Sequence, residues 1–162
     1  MNKTRQSFYI AIGSALGLGL SPFAPGSCGA LLGVAYHIAV STLVSPNWQS
    51  LTLGSGLLIV MFANPVLTPW ATEYWKSQDP KNFVLDEIAG YLVVPLLFPG
   101  GDLLKVAFVG FVLFRIFDIV KIPPARQIDQ RLNGPWGIVL DDIVSGIYAA
   151  LSLHFLNWLR IL

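Results

Sequence analysis

Charged residues are scarce in this sequence. Only 12% of its 162 residues are charged and 54% are hydrophobic, whereas an ordinary soluble domain carries about 25% charged residues. Residues 6–72 contain no Asp, Glu, Lys or Arg. A soluble protein of this size could hardly cover its surface with so few polar groups. The composition therefore disfavours a conventional soluble enzyme and favours a membrane protein.

An excess of positive charge and pairs of cysteines are also absent. The net charge is +1 and there is no long basic run, which disfavours nucleic-acid binding. Cys28 is the only cysteine, so an internal disulfide and a CxxC zinc or redox pair are excluded. The sequence has no HExxH, GxSxG, P-loop or Cys-x5-Arg pattern. Covalent catalysis by serine or cysteine therefore finds no support.

Five apolar stretches dominate what is present. They are Cys28–Val44, Leu51–Ala71, Ile88–Phe98, Leu103–Val120 and Ile143–Leu159. A helix needs about 20 residues to cross a bilayer, so Ile88–Phe98 spans only if its helix begins near Leu85, and is otherwise re-entrant. We predict one all-α domain over residues 1–162, an integral membrane bundle of four to five hydrophobic helices. A short amphipathic helix over Phe8–Leu20 precedes them.

The charged residues are concentrated in two segments. Fourteen of the nineteen lie in Glu73–Glu87 and Arg115–Asp142. If the N-terminus is cytoplasmic and the stretches cross alternately, both segments fall on the cytoplasmic side. Eight basic residues then lie inside and only Lys105 and Arg160 outside, which agrees with the positive-inside rule. This topology predicts a site for a lipid head group on the cytoplasmic face.

Acidic residues recur at the margins of the apolar stretches. Asp86 and Glu87 precede the third stretch, Asp141 and Asp142 begin the last, and Asp118 lies within the fourth. A single acidic residue there is more often a helix start. Several together near hydrocarbon imply a partner, most simply a divalent cation, because an unpaired charge is costly in that environment.

Two basic residues accompany these carboxylates. Arg115, Asp118 and Lys121 recur at i, i+3 and i+6, along one side of a helix. An intrahelical ladder of ion pairs is an equally good interpretation. After Pro123 and Pro124, a short amphipathic segment carries Asp129, and the following turn could fold Asp129 back towards Asp118.

A loop rich in Pro and Gly, Ser21–Gly29, leads into the first long stretch. We expect a helix to start near Cys28 with Ser27 as its cap, so that free N–H groups of Gly26–Gly29 face outward. Such a terminus binds phosphate oxygens. On this stretch alone, a simple tight turn is the more common explanation, because Gly-rich turns occur often.

Together these blocks resemble the bacterial phosphatidylglycerophosphatase A family. The resemblance covers nearly the whole chain and rests on Ala24–Gly29, Leu85–Gly90, Phe114–Lys121 with Pro123 and Pro124, Asp129, and Gly137–Gly146. It implies an all-helical, Mg²⁺-dependent enzyme of the bacterial inner membrane. That enzyme would remove the terminal phosphate of the phospholipid phosphatidylglycerophosphate and leave phosphatidylglycerol.

On this interpretation each candidate residue receives a role as a hypothesis. Asp86, Glu87, Asp118 and Asp142 bind Mg²⁺ or activate water, and Asp129 and Asp141 are reserve ligands or a base. Arg115 and Lys121 hold the phosphate, assisted by Gly26 and Ser27.

Two alternatives and one question stay open at this stage. A small ion-coupled transporter would also use carboxylates within the membrane, although no internal repeat is evident. A phosphatidyltransferase would need an Asp-Gly before Ala125-Arg126, and the sequence has none. Whether the chain forms a homo-oligomer is not decided by these patterns.

Overall fold

The computed structural model describes residues 3–132 and 134–162, and within them the chain is helical without β-strands. In chain order the helices are α1 (Lys3–Gly13), a 3₁₀ turn (Leu18–Leu20), α2 (Pro25–Leu43), α3 (Pro46–Trp75), α4 (Leu85–Leu97), α5 (Leu103–Val120), α6 (Ala125–Arg131) and α7 (Pro135–Trp158). The predicted all-α class is confirmed. The bounds of α5 and the start of α4 agree with the sequence analysis.

The five long helices run in alternating directions. One cavity is lined by the first turns of α2, α4 and α7 and by the last turns of α3 and α5. The N-terminal segment reaches the same end, because the Val84 N–H donates to the Gly13 carbonyl at 2.9 Å. The alternating order therefore gathers five helix ends, three of them N-termini, around one cavity.

Within the part of the chain that the structure describes, three helices are long and apolar enough to cross a membrane: α2, α3 and α7. Helix α5 has 18 residues but carries Lys105, Arg115 and Asp118. Many large apolar side chains point outward, such as Ile59 and Phe108, which are 69% and 68% exposed. Side chains of this kind are suited to contact with lipid tails, so the fold is that of a membrane protein.

Helix α4 is the central helix of the bundle. It has only 13 residues, and the ten that are buried include Asp86 and Tyr91. A helix that is hydrophobic on all sides belongs in a core. The short apolar stretch is thus explained by burial among the other helices.

Three helix starts differ from the sequence analysis. Helix α2 begins at Pro25 instead of near Cys28, α3 begins at Pro46, five residues before Leu51, and α7 begins at Pro135, eight residues before Ile143. In each case a proline lies in the first turn, where its missing N–H and fixed φ are favourable. Gly134, with φ 106°, precedes α7. The limits of the apolar stretches placed all three starts too late.

The predicted helix over Phe8–Leu20 is also interrupted. Helix α1 ends at Gly13, and Ala15, Leu16 and Gly17 have φ values of 50°, 58° and 96°. A left-handed backbone cannot continue a right-handed helix. The chain therefore turns here and resumes as the 3₁₀ turn before the loop that leads to α2.

Helices α4 and α7 cross with their backbones in contact. A Cβ added at Gly146 would overlap the Gly90 carbonyl oxygen, and one at Gly90 would lie 2.8 Å from the Asp142 carbonyl oxygen. Only glycine permits so close an approach. The crossing fixes the first turn of α4 beside the second turn of α7.

We expect Gly146→Val to destabilise the protein because its side chain would force α4 and α7 apart. Overpacking of this kind costs about 1–3 kcal/mol, and thermal unfolding in detergent would measure it. Gly100→Val is the matched control, since a Cβ there meets nothing within 4 Å. Equal melting temperatures for the two variants would contradict the close crossing.

Candidate active site

A cavity of about 940 Å³ opens at the end of the bundle where α2, α4 and α7 begin. Pockets for small molecules have volumes of about 300–1,000 Å³. Nine of the ten predicted site residues line it: Gly26, Asp86, Glu87, Arg115, Asp118, Lys121, Asp129, Asp141 and Asp142. Residues of α2, α4, α5, α6 and α7 and the residue that follows α5, Lys121, thus meet in one place.

Three carboxylates in this cavity lie close together. Asp86, Glu87 and Asp142 each offer an oxygen, and these oxygens all lie within 4.8 Å of one another. Asp86 and Glu87 are in the first turn of α4, and Asp142 is in the second turn of α7. The glycine crossing of α4 and α7 brings the two helices close enough for this arrangement.

The group has the properties of a divalent-cation site. Asp86 and Asp142 are 7% and 4% exposed, and within the described chain Asp86 Oδ1 and Glu87 Oε2 have no hydrogen-bond partner. Buried carboxylates without partners are strongly destabilising. Mg²⁺ and Ca²⁺ prefer oxygen ligands of this type, so these residues fit a bound divalent ion.

A guanidinium group lies against the same carboxylates. Arg115 forms an ion pair with Asp118 one helical turn away. A Cβ added at Gly26 would overlap Glu87 Oε1 and would lie 3.2 Å from Arg115 Nη2. The first turn of α2, Glu87 and Arg115 are therefore in close contact, and glycine at position 26 makes that contact possible.

Asp118 lies beside the three-carboxylate group without belonging to it. It pairs with Arg115 and is near enough to Asp142 for a strong electrostatic interaction. Its predicted role as a metal ligand stays a prediction.

Lys121 occupies a separate position in the cavity wall. It follows α5 with φ 49°, and its Nζ lies 2.7 Å from Asp129 Oδ1 and 2.7 Å from Asp141 Oδ2. Partial burial lowers the pKa of Lys121, but its hydrogen bonds to Asp129 and Asp141 outweigh that effect and raise the pKa overall. The ammonium group is therefore charged at neutral pH.

Ser27 does not have the predicted position. Because α2 begins at Pro25, Ser27 is the third residue of the helix and makes no capping hydrogen bond, and Ala24 occupies the N-cap. Ser27 is also not among the residues that line the cavity. The N–H groups of the first turn still lack acceptors within the helix, so Gly26 retains its predicted suitability for an anion.

Sequence reasoning missed several cavity residues. Asp79 and Lys81 come from the loop between α3 and α4, and Thr68 and Thr72 come from α3. The loop is held in place, since Asn82 Nδ2 donates to the Gly19 carbonyl oxygen at 2.9 Å. The charged segment Glu73–Glu87 contained Asp79 and Lys81, but no spacing pattern distinguished them from surface charges.

Comparison with known proteins identifies related sequences. Residues 11–157 match the sequence profile described as phosphatidylglycerophosphatase A. A protein of Bacteroides thetaiotaomicron, provisionally named a phosphatidylinositol-3-phosphatase, is 34% identical, covering 95% of this chain and 97% of its own. Phosphatidylglycerophosphatase A of Escherichia coli is 34% identical, and the match covers 91% of this chain and 81% of that protein. Phosphatidylglycerophosphatase A of Haemophilus influenzae is 29% identical, and the match covers 92% of this chain and 87% of that protein. No solved structure matches significantly.

The chain belongs to the phosphatidylglycerophosphatase A family. It is accordingly a phosphatase, and the resemblance identified from its motifs is confirmed. The membrane helices agree with a family that acts on a phospholipid.

We expect Gly26→Ala to lower phosphatase activity by about 100-fold, because a displacement of about 1 Å at a reacting centre can have that effect. The added methyl group would push Glu87 and Arg115 from their positions. The measurement is phosphate release by the purified variant. Gly54→Ala in α3 is the control, since its Cβ would make only an ordinary contact at 3.9 Å. Equal activities would contradict the close approach.

Proposed function

We propose that the chain hydrolyses the terminal phosphomonoester of phosphatidylglycerophosphate with the aid of Mg²⁺, giving phosphatidylglycerol and phosphate. One observation carries most weight: the buried carboxylates of Asp86 and Asp142 and the partly buried carboxylate of Glu87 lie in one cavity with the Arg115 guanidinium. Within the described chain, one oxygen of Asp86 and one of Glu87 have no hydrogen-bond partner. The names of two relatives and the family supply the substrate.

The charge of the cavity supports the requirement for a metal. Among the residues that the structure describes, seven carboxylates line it, against the three cations Lys81, Arg115 and Lys121. A phosphate ester is an anion and would be repelled by this excess of negative charge. Asp86, Glu87 and Asp142 would hold the divalent ion. When bound, such an ion supplies a Lewis acid for phosphoryl oxygens and lowers the pKa of a bound water.

The other groups have roles that follow from their charge and position. Arg115 binds the non-bridging phosphoryl oxygens, since a guanidinium offers paired donors that match phosphate. The N-termini of α2, α4 and α7 add partial positive charge, and the Gly26 N–H is available as a donor. We assign Asp118 to orient the attacking water and accept its proton. Lys121 neutralises charge as the glycerol oxygen leaves.

The position of the site suits a lipid substrate. The cavity lies at one end of the bundle, so a head group can enter it while the acyl chains stay in lipid beside the apolar helices. Basic residues are present at this end, where Lys81, Arg115 and Lys121 line the cavity. By the positive-inside rule we propose the bacterial cytoplasmic membrane with the site on its cytoplasmic side.

The test is phosphate release from phosphatidylglycerophosphate by purified protein, with Mg²⁺ and with chelator. We expect Asp86→Asn and Asp142→Asn to lower kcat by at least about 100-fold, because each removes a group that stabilises the transition state. Asp118→Asn and Asp129→Asn should also lower it. Glu73→Gln, an exposed residue outside the cavity, is the control.

Unchanged turnover in all four aspartate variants would contradict the assignment of the site. Activity that is equal with Mg²⁺ and with chelator would contradict the metal requirement. Transport of a solute into sealed vesicles without phosphate release would favour the transporter instead.

A further inference from the structure

Lys121 is held by two carboxylates from different elements. Asp129 belongs to α6 and Asp141 to α7, and each has an oxygen 2.7 Å from Lys121 Nζ. Asp141 is almost fully buried, whereas Asp129 is partly exposed. Two carboxylates that could otherwise share a metal ion thus share one ammonium group.

The position of this ammonium is fixed by the backbone around it. Lys121 lies in the left-handed region at the end of α5. The segment that follows is held to α7, because Tyr148 donates from its hydroxyl to the Pro123 carbonyl oxygen at 2.6 Å. The backbone around Lys121 is therefore anchored to α7, and the lysine is part of the cavity wall.

The ammonium lines the same cavity as the three-carboxylate group. Asp141 binds Lys121, and Asp142, the next residue of α7, belongs to that group. Within residues 3–132 and 134–162, Asp86, Glu87 and Asp142 are the set of three that could together hold a metal ion. Enzymes with two metals use the second ion to stabilise the attacking or leaving oxygen. In this protein the carboxylates of Asp129 and Asp141 already have a cation, the Lys121 ammonium.

We propose that Lys121, held by Asp129 and Asp141, serves as the second cation of the site, so that each chain binds one divalent ion. This inference rests on the proposed function. Asp129 and Asp141 then position a lysine and are neither metal ligands nor a catalytic base. Substitution of Asp129 should therefore affect the reaction but not the binding of metal.

The experiment counts bound Mn²⁺ by electron paramagnetic resonance, using the full-length purified protein in detergent without substrate. We expect one ion per chain. Asp142→Asn should weaken binding by more than about 10-fold, because loss of even an indirect partner of a metal costs 10–100-fold. Asp129→Asn and Lys121→Gln should change the affinity by less than about threefold.

Activity provides the second measurement. Lys121→Gln should lower kcat for the lipid by about 100-fold, as does removal of one transition-state donor elsewhere. The double variant that combines Asp129→Asn with Lys121→Gln should have nearly the same kcat as Lys121→Gln alone, because both changes disable the same group. Lys76→Gln is the control, an exposed lysine outside the cavity.

Each outcome has a distinct meaning. Two ions per chain, with one lost in Asp129→Asn, would overturn this inference and leave the proposed function intact. A loss of Mn²⁺ affinity above about 10-fold in Asp129→Asn would do the same, since that is the effect of a ligand or its close partner. Absence of Mn²⁺ binding in the wild-type protein would instead overturn the metal site of the proposed function.

Discussion

Acidic side chains buried at the end of an apolar bundle are the constraint on which this structure depends. An isolated carboxylate is strongly disfavoured away from water, yet Asp86, Asp141 and Asp142 are all buried. Two kinds of partner offset the cost of burying these carboxylates. Asp141 has the ammonium of Lys121, while Asp86 and Asp142 belong to a group that a divalent ion would satisfy. The arrangement of helices follows from the need to bring these partners together.

Glycine residues allow the helices to approach closely enough to bring these charged groups together. At Gly90 and Gly146 the backbones of α4 and α7 touch, and at Gly26 the start of α2 meets Glu87 and Arg115. Any larger residue would separate carboxylates that now lie within 4.8 Å of one another. Packing and chemistry therefore depend on the same contacts. A change in the helix crossing would alter stability and the site together.

Much of the site could be predicted because charge is conspicuous in an apolar sequence. Six of the seven carboxylates described in the cavity wall, with Arg115 and Lys121, were identified from their placement in the sequence, and α5 has the predicted bounds. The errors had local causes. Ser27 was expected to cap a helix that in fact starts at Pro25, because a proline in a loop-like segment can equally begin a helix. Asp79 was missed because only tertiary contacts bring its loop to the cavity.

The excess of negative charge in the cavity also bears on turnover. A site lined mostly by cations would bind inorganic phosphate tightly and release it slowly. Here carboxylates outnumber cations among the described residues that line the cavity. In the mechanism that we propose, an anion would therefore be held only by directed groups: the Arg115 guanidinium, the Lys121 ammonium, helix N-termini and a metal. Those contacts would be strongest for the charge distribution of the transition state. The surrounding carboxylates would orient these cations and weaken the general attraction for anions, which would favour release of the product.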